Sequence, residues 1–587
     1  MSKERRPFGA HFAKIIRNEF AGYNKQKFIG DLASGITVGA VALPLALAFG
    51  AASVDAAHAA VGIAGGLITA IIAGLISGLL GGGSFQISGP TGAMAVVLGT
   101  IVSGQYGLTG MFLATFISGL LLLVCGLLRF GKLVQFIPKP VVTGFTSGIA
   151  CVIAIGQLGN AFGVEASGET TIDKVMCFID NIKNTDFLTL GLTLAVIIFM
   201  FIYPKKLAKY VPASLVSIII VTAVVAILGL DVRTIGDIPR SLINSETLLI
   251  TDINLTMIKD VASYAITIAL LGMIESLLCG TCAASMKKEK FDSNVELIAQ
   301  GVANMVVPFL GGVPSTAAIA RTSVAIKSGS NTRLTSVFQS LFLVACMFVL
   351  SPVIALVPYA ALAGVLIVTA IKMNEFEEIG IYFKRKLGDT IVLFLLTMIA
   401  TIILDLTYAI IIGVAASMLM MISKLAAIKV TVEEETLLDE DSAVVYSVGA
   451  YFFANGKQLK QAISKSRTYK NYILSFRGVV YIDLTAEQSF IEAIEYIKSL
   501  GASYCIVGLN PDLEASLEKV GFFEKGSRDV VFANLEDYIA SEASNINNKS
   551  ESSTNEDKLA ITNNASNDEV IQEQKQHVKL EDIFEVK

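Results

Sequence analysis

Two stretches of similar design hold the residues best placed to do chemistry. Residues 311–323 read GGVPSTAAIARTS and residues 81–93 read GGGSFQISGPTGA. Each combines a glycine run, a short extended piece and small or hydroxyl residues around a proline, and each lies between long apolar segments. That pattern suits a helix that begins inside a membrane. No water reaches the free N–H groups of such a start, so it persists only where protein or an aqueous cavity covers it. A helix start carries roughly half a positive charge, and two facing each other near the midplane would hold one small anion between them. Close packing through small residues explains each glycine run equally well when taken singly. Arg321 tips the second stretch towards function, because a guanidinium at the bilayer centre costs about 2.5–3.5 kcal/mol on insertion scales and marks a pathway or a counter-ion. The chemistry expected is electrostatic holding of an anion, with no covalent step.

Glu275 is the second charged residue in a long apolar run, AITIALLGMIESLLCG. A solvated helix face is excluded there. Two readings remain, a structural ion pair with Arg321 and a carboxylate beside a cavity that takes up a proton together with the anion; the second is preferred. Cys279 and Cys282 have the spacing of a redox or metal pair, CGTC, but no second cysteine or histidine pair accompanies them. They are read as small apolar packing groups. The three histidines, His11, His58 and His577, are far apart in sequence, which argues against a zinc centre, and no cofactor is expected.

The elements that must position these residues are membrane helices. The chain has 587 residues, 53% hydrophobic and 16% charged, against about 25% charged in a soluble protein. Mean hydropathy is +0.66. Apolar segments run from Asp31 to about Ala427, near 33–50, 57–80, 91–104, 107–128, 141–158, 187–203, 212–230, 261–283, 294–310, 315–327, 334–351, 353–372, 388–405 and 407–427. The third and tenth are short, as half-helices would be. With a basic N-terminal segment (1–30) inside, the turns holding Arg129, Lys132 and Lys139, then Lys205, Lys206 and Lys209, then Lys287, Lys288 and Lys290, then Lys384, Arg385 and Lys386 all fall on the cytoplasmic side. The outer loop 160–186 instead carries Glu165, Glu169, Asp173, Asp180 and Asp186 against two lysines. This charge pattern obeys the positive-inside rule and puts both termini in the cytoplasm of a cell-membrane protein. Two sections, about 31–230 and 260–427, each hold some seven spans with a glycine-flanked short helix third. An odd number of passes per section makes the repeat inverted, with its substrate site at the repeat interface.

From residue 430 to 541 the pattern changes to strands such as AVVYSVGA, YKNYILSF, VVYIDL and SYCIVGLN, spaced by amphipathic helices, which makes a small α/β domain. Residues 542–587 are Ser-, Asn-, Glu- and Lys-rich and are expected to be disordered. The net charge of −5 is concentrated in this acidic C-terminal part, and nucleic acid is not an expected partner.

Several unlinked motifs resemble the SulP family of anion transporters, whose animal relatives include prestin and pendrin. They are DLASGITVGAVALPLALAFG at 31–50, QISGPTGA at 86–93, GMIESLL at 272–278 and PSTAAIARTSVAIKSGSNTRL at 314–334. In the C-terminal part, VGAYFFANGKQL at 448–459 and YIDLTAEQ at 481–488 are similar to the sulfate transporter and anti-sigma factor antagonist (STAS) domain. The resemblance implies an α-helical polytopic membrane protein of 14 passes in two inverted seven-helix repeats, with core and gate domains, a homodimer and an elevator-like motion. It places the anion pocket on Thr91, Gly92 and Ala93, on Ala320, Arg321 and Thr322, and on Leu45 and Phe49 of the first pass, with Glu275 in the coupling machinery.

Many family members carry PQxMAY in the first pass where this chain has PLALAF, so Leu45 removes an amide donor and Phe49 lacks a hydroxyl. Sodium-coupled bicarbonate members are similar there but lack an arginine like Arg321 and use an aspartate at the position of Glu275, which argues against a sodium site here. The usual hydroxyl-rich turn of the STAS domain appears as Asp483, Leu484, Thr485 and Ala486, leaving Thr485 as a weak candidate for regulation. The reading is a secondary active transporter and not an enzyme, with sulfate carried by proton symport placed first. Bicarbonate and C4-dicarboxylates follow within the same class, and a nucleobase permease or an anion channel come after those.

Overall fold

The computed structural model describes residues 15–17, 19–55, 57–132, 137–166, 168, 170–204, 207, 211–236, 240–249, 251, 253–404, 406–426, 429–434, 441–519 and 530–541. The expected disordered tail, 542–587, and the first fourteen residues of the basic N-terminal segment lie outside them. Residues 1–418 and 419–587 form two compact units.

In the first unit the chain runs through α1 (Lys25–Ala52), α2 (Ala59–Leu80), β1 (Ser88–Gly89), α3 (Gly92–Val102), α4 (Gly107–Leu127), α5 (Lys139–Gly156), α6 (Leu158–Phe162), α7 (Thr171–Asn181), α8 (Phe187–Ile202) and α9 (Ala213–Leu228). It continues with α10 (Leu255–Lys287), α11 (Ser293–Val306), β2 (Thr316–Ala317), α12 (Ile319–Lys327), α13 (Leu334–Ile354), α14 (Tyr359–Met373), α15 (Phe376–Lys384), α16 (Gly388–Ile403) and α17 (Leu406–Ala426), whose residues from Leu419 onwards fall in the second unit. A helix therefore stands within each of the fourteen expected apolar segments. Eight helical stretches among the described residues are long and apolar enough to cross a membrane by themselves. At 1.5 Å per residue, α3 and α12 reach only about 16 and 14 Å, half of a hydrocarbon core of roughly 30 Å.

Local signals mark where helices start. Asn24 accepts a hydrogen bond from the Lys27 amide at 2.9 Å before α1, and Asp186 receives the Leu188 amide at 3.0 Å at the 118° bend between the helical stretch 171–184 and α8. Glycines let α1 and α2 touch. A Cβ on Gly66 would sit 2.2 Å from the Ala46 carbonyl oxygen, and one on Gly50 would sit 2.3 Å from that of Gly62. Backbones this close pack without a hydrophobic driving force, as helices in lipid must.

The second unit contains a five-stranded sheet in the order β3 (Lys429–Glu434), β4 (Ser442–Tyr451), β5 (Asn471–Ile482), β6 (Ser503–Val507), β7 (Val531–Phe532). The β3–β4 pair is antiparallel and the others parallel. Helices α18 (Gln458–Lys465), α19 (Leu484–Ser499) and α20 (Pro511–Lys519) supply the crossovers that parallel pairing requires. YKNYILSF and VVYIDL, expected as separate strands, form the single strand β5, because the chain stays extended through Arg477 and Gly478 and, after a register irregularity, Gly478 pairs with Val448 of β4. Its core stacks Phe476 on Phe490 edge to face, with centroids 4.7 Å apart.

The α1–α2 contact predicts that Gly66→Val lowers the thermal unfolding midpoint of the detergent-solubilised protein, with overpacking costing about 1–3 kcal/mol. Gly156→Ala, with nothing within 4 Å of the added atom, leaves it unchanged. Equal midpoints for the two variants would refute the close-contact account.

Candidate functional site

The two broken stretches meet. Ser88 and Gly89 pair antiparallel with Ala317 and Thr316, and immediately beyond these strands α3 and α12 begin. Antiparallel pairing is what a two-fold axis in the membrane plane makes of one repeated unit. The strands also solve a solvation problem, since each supplies backbone partners to the other where lipid offers none.

Several buried side chains frame this pair. Asn304 Oδ1 accepts the Ser315 amide at 2.7 Å and its Nδ2 donates to the Ser315 carbonyl at 2.9 Å. Ser276 Oγ lies 2.8 Å from Thr316 Oγ1 and accepts the Ala317 amide at 3.2 Å. Gln86 Nε2 donates to the Ser276 carbonyl at 2.7 Å. Gln300 Nε2 donates both to Ser88 Oγ at 2.7 Å and to Glu296 Oε1 at 2.9 Å, while Glu296 Oε2 accepts the Gly82 amide at 2.9 Å. Glu296, Gln300 and Asn304 recur every four residues and thus share one face of α11.

Arg321 is 1% exposed. Its Nη2 donates to the Pro90 carbonyl at 2.9 Å, so the guanidinium of the second stretch is seated on the first. Nη1 has no hydrogen-bond partner among the described residues although it is fully buried. Gly89 makes the seat. A Cβ there would lie 2.5 Å from Nη1. Glu275, half-buried on α10, accepts the Thr91 hydroxyl at 3.0 Å and is near enough to Arg321 for a direct electrostatic interaction. With Thr91 turned to Glu275 and Ala318 unable to cap, neither residue ahead of α3 or α12 supplies a side-chain acceptor to the first-turn N–H groups.

The remaining expected residues do not converge on one place. Gly92 and Phe49 line a cavity of about 310 Å³, together with Val96, Ile153 and Tyr359, and a Cβ on Gly92 would lie 2.4 Å from Ile153 Cδ1 and 3.0 Å from the Phe49 ring. Ala320 is exposed at the first turn of α12, and Leu45 is half-buried on α1. Ala93 is wholly enclosed. Thr322 is tied into the frame. Its hydroxyl accepts the Ile87 amide at 3.1 Å and the Cys279 thiol at 3.3 Å, tying α12 to the strand region and to α10. In the second unit Thr485 is exposed in the first turn of α19, which Asp483 caps by accepting the Ala486 amide at 2.8 Å.

The sequence profile described as "Sulfate permease family" matches residues 28–397, and that of the "STAS domain" matches residues 430–538. The chain belongs to the sulfate permease family. That family consists of membrane transporters rather than enzymes. The chain is 33% identical over 532 residues to YvdB of Bacillus subtilis (strain 168), named as a candidate sulfate transporter, covering 86% of this chain and 96% of that protein. It is 26% identical over 524 residues to the bicarbonate transporter BicA of a Synechocystis species, covering 84% and 90%. The structure of the murine Slc26a9 anion transporter in the inward-facing state shares the fold, with a TM-score of 0.81 and 18% identity over 92% of this chain and 96% of that one. The transmembrane domain of a cyanobacterial BicA matches with a TM-score of 0.57 and 27% identity over 67% and 98%.

Within this family fold, the sequence reading found the charged pair but missed its frame. Ser276, Gln86, Gly89, Ser315 and the α11 row were not singled out. The last had a legible signal, three polar residues at four-residue spacing in an otherwise apolar helix.

Asn304→Ala strands the Ser315 amide and carbonyl without their partner, at about 1–3 kcal/mol for each orphaned group. A lowered unfolding midpoint in detergent is expected, and an unchanged one would remove Asn304 from the frame. Gly89→Ala should leave the protein folded but cut substrate uptake at least tenfold by pushing the guanidinium off its seat.

Proposed function

We propose that this protein is a secondary active transporter of a small inorganic anion, sulfate first, moved together with protons. One observation carries the reading: a buried guanidinium with an unpaired nitrogen sits where two helix starts without side-chain caps are held together. An anion settling there would give Nη1 and the first-turn N–H groups the acceptors they lack, through charge-assisted hydrogen bonds. Arg321 supplies the attraction. Gly92 offers backbone, and Phe49 and Leu45 provide an apolar wall. Ala320 leaves room beside the second helix start.

Glu275 shares Thr91 with the first helix start and lies within the field of Arg321. In the proposed cycle it takes a proton as the anion binds, which keeps the charge carried across the membrane small. The fourteen helical segments make two inverted sets of seven, and the set carrying α3 and α12 slides against the rest in an elevator-like motion, within a homodimer in the cell membrane with both termini cytoplasmic. The names of the relatives, for sulfate and for bicarbonate transport, support an anion as cargo. Bicarbonate is the second reading, favoured by the similarity to BicA along most of both chains.

Radiolabelled sulfate, bicarbonate and succinate uptake into proteoliposomes tests this. Sulfate uptake by the wild type should rise as external pH falls below internal pH and should ignore sodium. Arg321→Ala should reduce uptake to the protein-free rate, and Arg321→Lys should restore only part, since an ammonium lacks the planar fork that spans Pro90 and an anion. Glu275→Gln should retain anion binding but lose the response to a pH gradient. Uptake that needs sodium and disregards pH would overturn proton coupling. Full activity in Arg321→Ala would overturn the site.

A further inference from the structure

The 310 Å³ cavity does not end at the helix start. From Phe49 and Gly92 it extends past Gln157 and Asn160 to a mouth lined by Lys174 of α7 and by Arg233, which lies just beyond α9. Two cations therefore stand at the entrance of a passage whose inner end is the first turn of α3. The Lys174 ammonium has no ion-pair or hydrogen-bond partner among the described residues, although the side chain is partly buried. An ammonium left unpaired in a partly desolvated wall is an unfavourable arrangement unless something anionic visits it. Arg233 is held in place by stacking, its guanidinium carbon 4.8 Å from the centroid of the Tyr359 ring. Two carboxylates share this lining. Asp55 is engaged by His58, through Nδ1 at 2.7 Å and the backbone amide at 3.0 Å, and Glu165 is the other.

We propose that Lys174 and Arg233 form a second, shallower anion site, which captures a small oxyanion at the mouth and passes it along the cavity to the helix start at Gly92. This rests on the reading of the protein as an anion transporter. A weak outer site suits a carrier, because it raises the local anion concentration without the affinity that would slow onward movement. Electrostatic steering of an anion by exposed cations weakens as salt rises. The amide pair, in which Asn160 Nδ2 donates to Gln157 Oε1 at 3.3 Å, lines the route between the two sites.

The experiment measures initial sulfate uptake by the full-length protein in proteoliposomes at low and high ionic strength. At low ionic strength Lys174→Gln and Arg233→Gln should each raise KM about 3- to 10-fold with Vmax within about twofold of the wild type, and the difference should shrink at high ionic strength. Glu165→Gln should move KM the other way. A change that merely loosened the loop would not reverse sign between Lys174→Gln and Glu165→Gln, nor fade with salt. Calorimetric titration of Arg321→Ala with sulfate supplies a second readout, in which weak binding persists and is abolished by adding Lys174→Gln. Unchanged KM in Lys174→Gln at low ionic strength, or no residual binding in Arg321→Ala, overturns the outer site while leaving the inner one standing. A wild type that takes up neither sulfate nor bicarbonate overturns both.

Discussion

A helix that begins in the middle of a bilayer leaves polar backbone in a solvent that cannot bond to it, and the structure of the first unit is arranged around that constraint. β1 and β2 pair with each other, Asn304 brackets Ser315, and Ser276 reaches Thr316 and Ala317. Each contact satisfies a group that lipid would leave orphaned. The first-turn N–H groups of α3 and α12 receive no side-chain cap from Thr91 or Ala318, and these are the groups that an anion can use. The strands are thus taken up by the frame, and the helix starts are where the proposed cargo would rest.

The charged residues follow from that arrangement. Arg321 is affordable in the membrane because it leans on Pro90 rather than on lipid, and Gly89 is required beneath it because any larger residue would occupy the place of Nη1. Glu275 takes the hydroxyl of Thr91, the residue that would otherwise cap α3. The carboxylate and the helix start therefore share one side chain. In the proposed cycle, a change in the protonation of Glu275 would be felt by Thr91, the residue next to the proposed cargo.

Small residues do two separate jobs in the first unit. At Gly50 and Gly66 they allow α1 and α2 to touch, which is ordinary membrane packing. At Gly89 and Gly92 they admit a guanidinium and an aromatic ring to the backbone of the broken stretch. One composition cue serves both, which is why the glycine runs taken singly did not distinguish packing from a site.

Local sequence determined the places of the membrane helices, the shortness of the third and tenth, the α/β character of residues 430–541 and the setting of Arg321 and Glu275 as charges within apolar runs. All of these depend on hydropathy, periodicity or the cost of a charge in an apolar run, properties that neighbouring residues define. Tertiary structure decided what those charges touch. Thr91 and Glu275 are 184 residues apart, and Arg321 and Pro90 are 231 apart, so no local pattern could pair them. The same holds for Thr322, whose type suits a ligand and whose hydroxyl oxygen accepts from Ile87 and Cys279. A hydroxyl reads alike in sequence whether it faces cargo or frame, and only the packing of α10 against α12 assigns it to one of them.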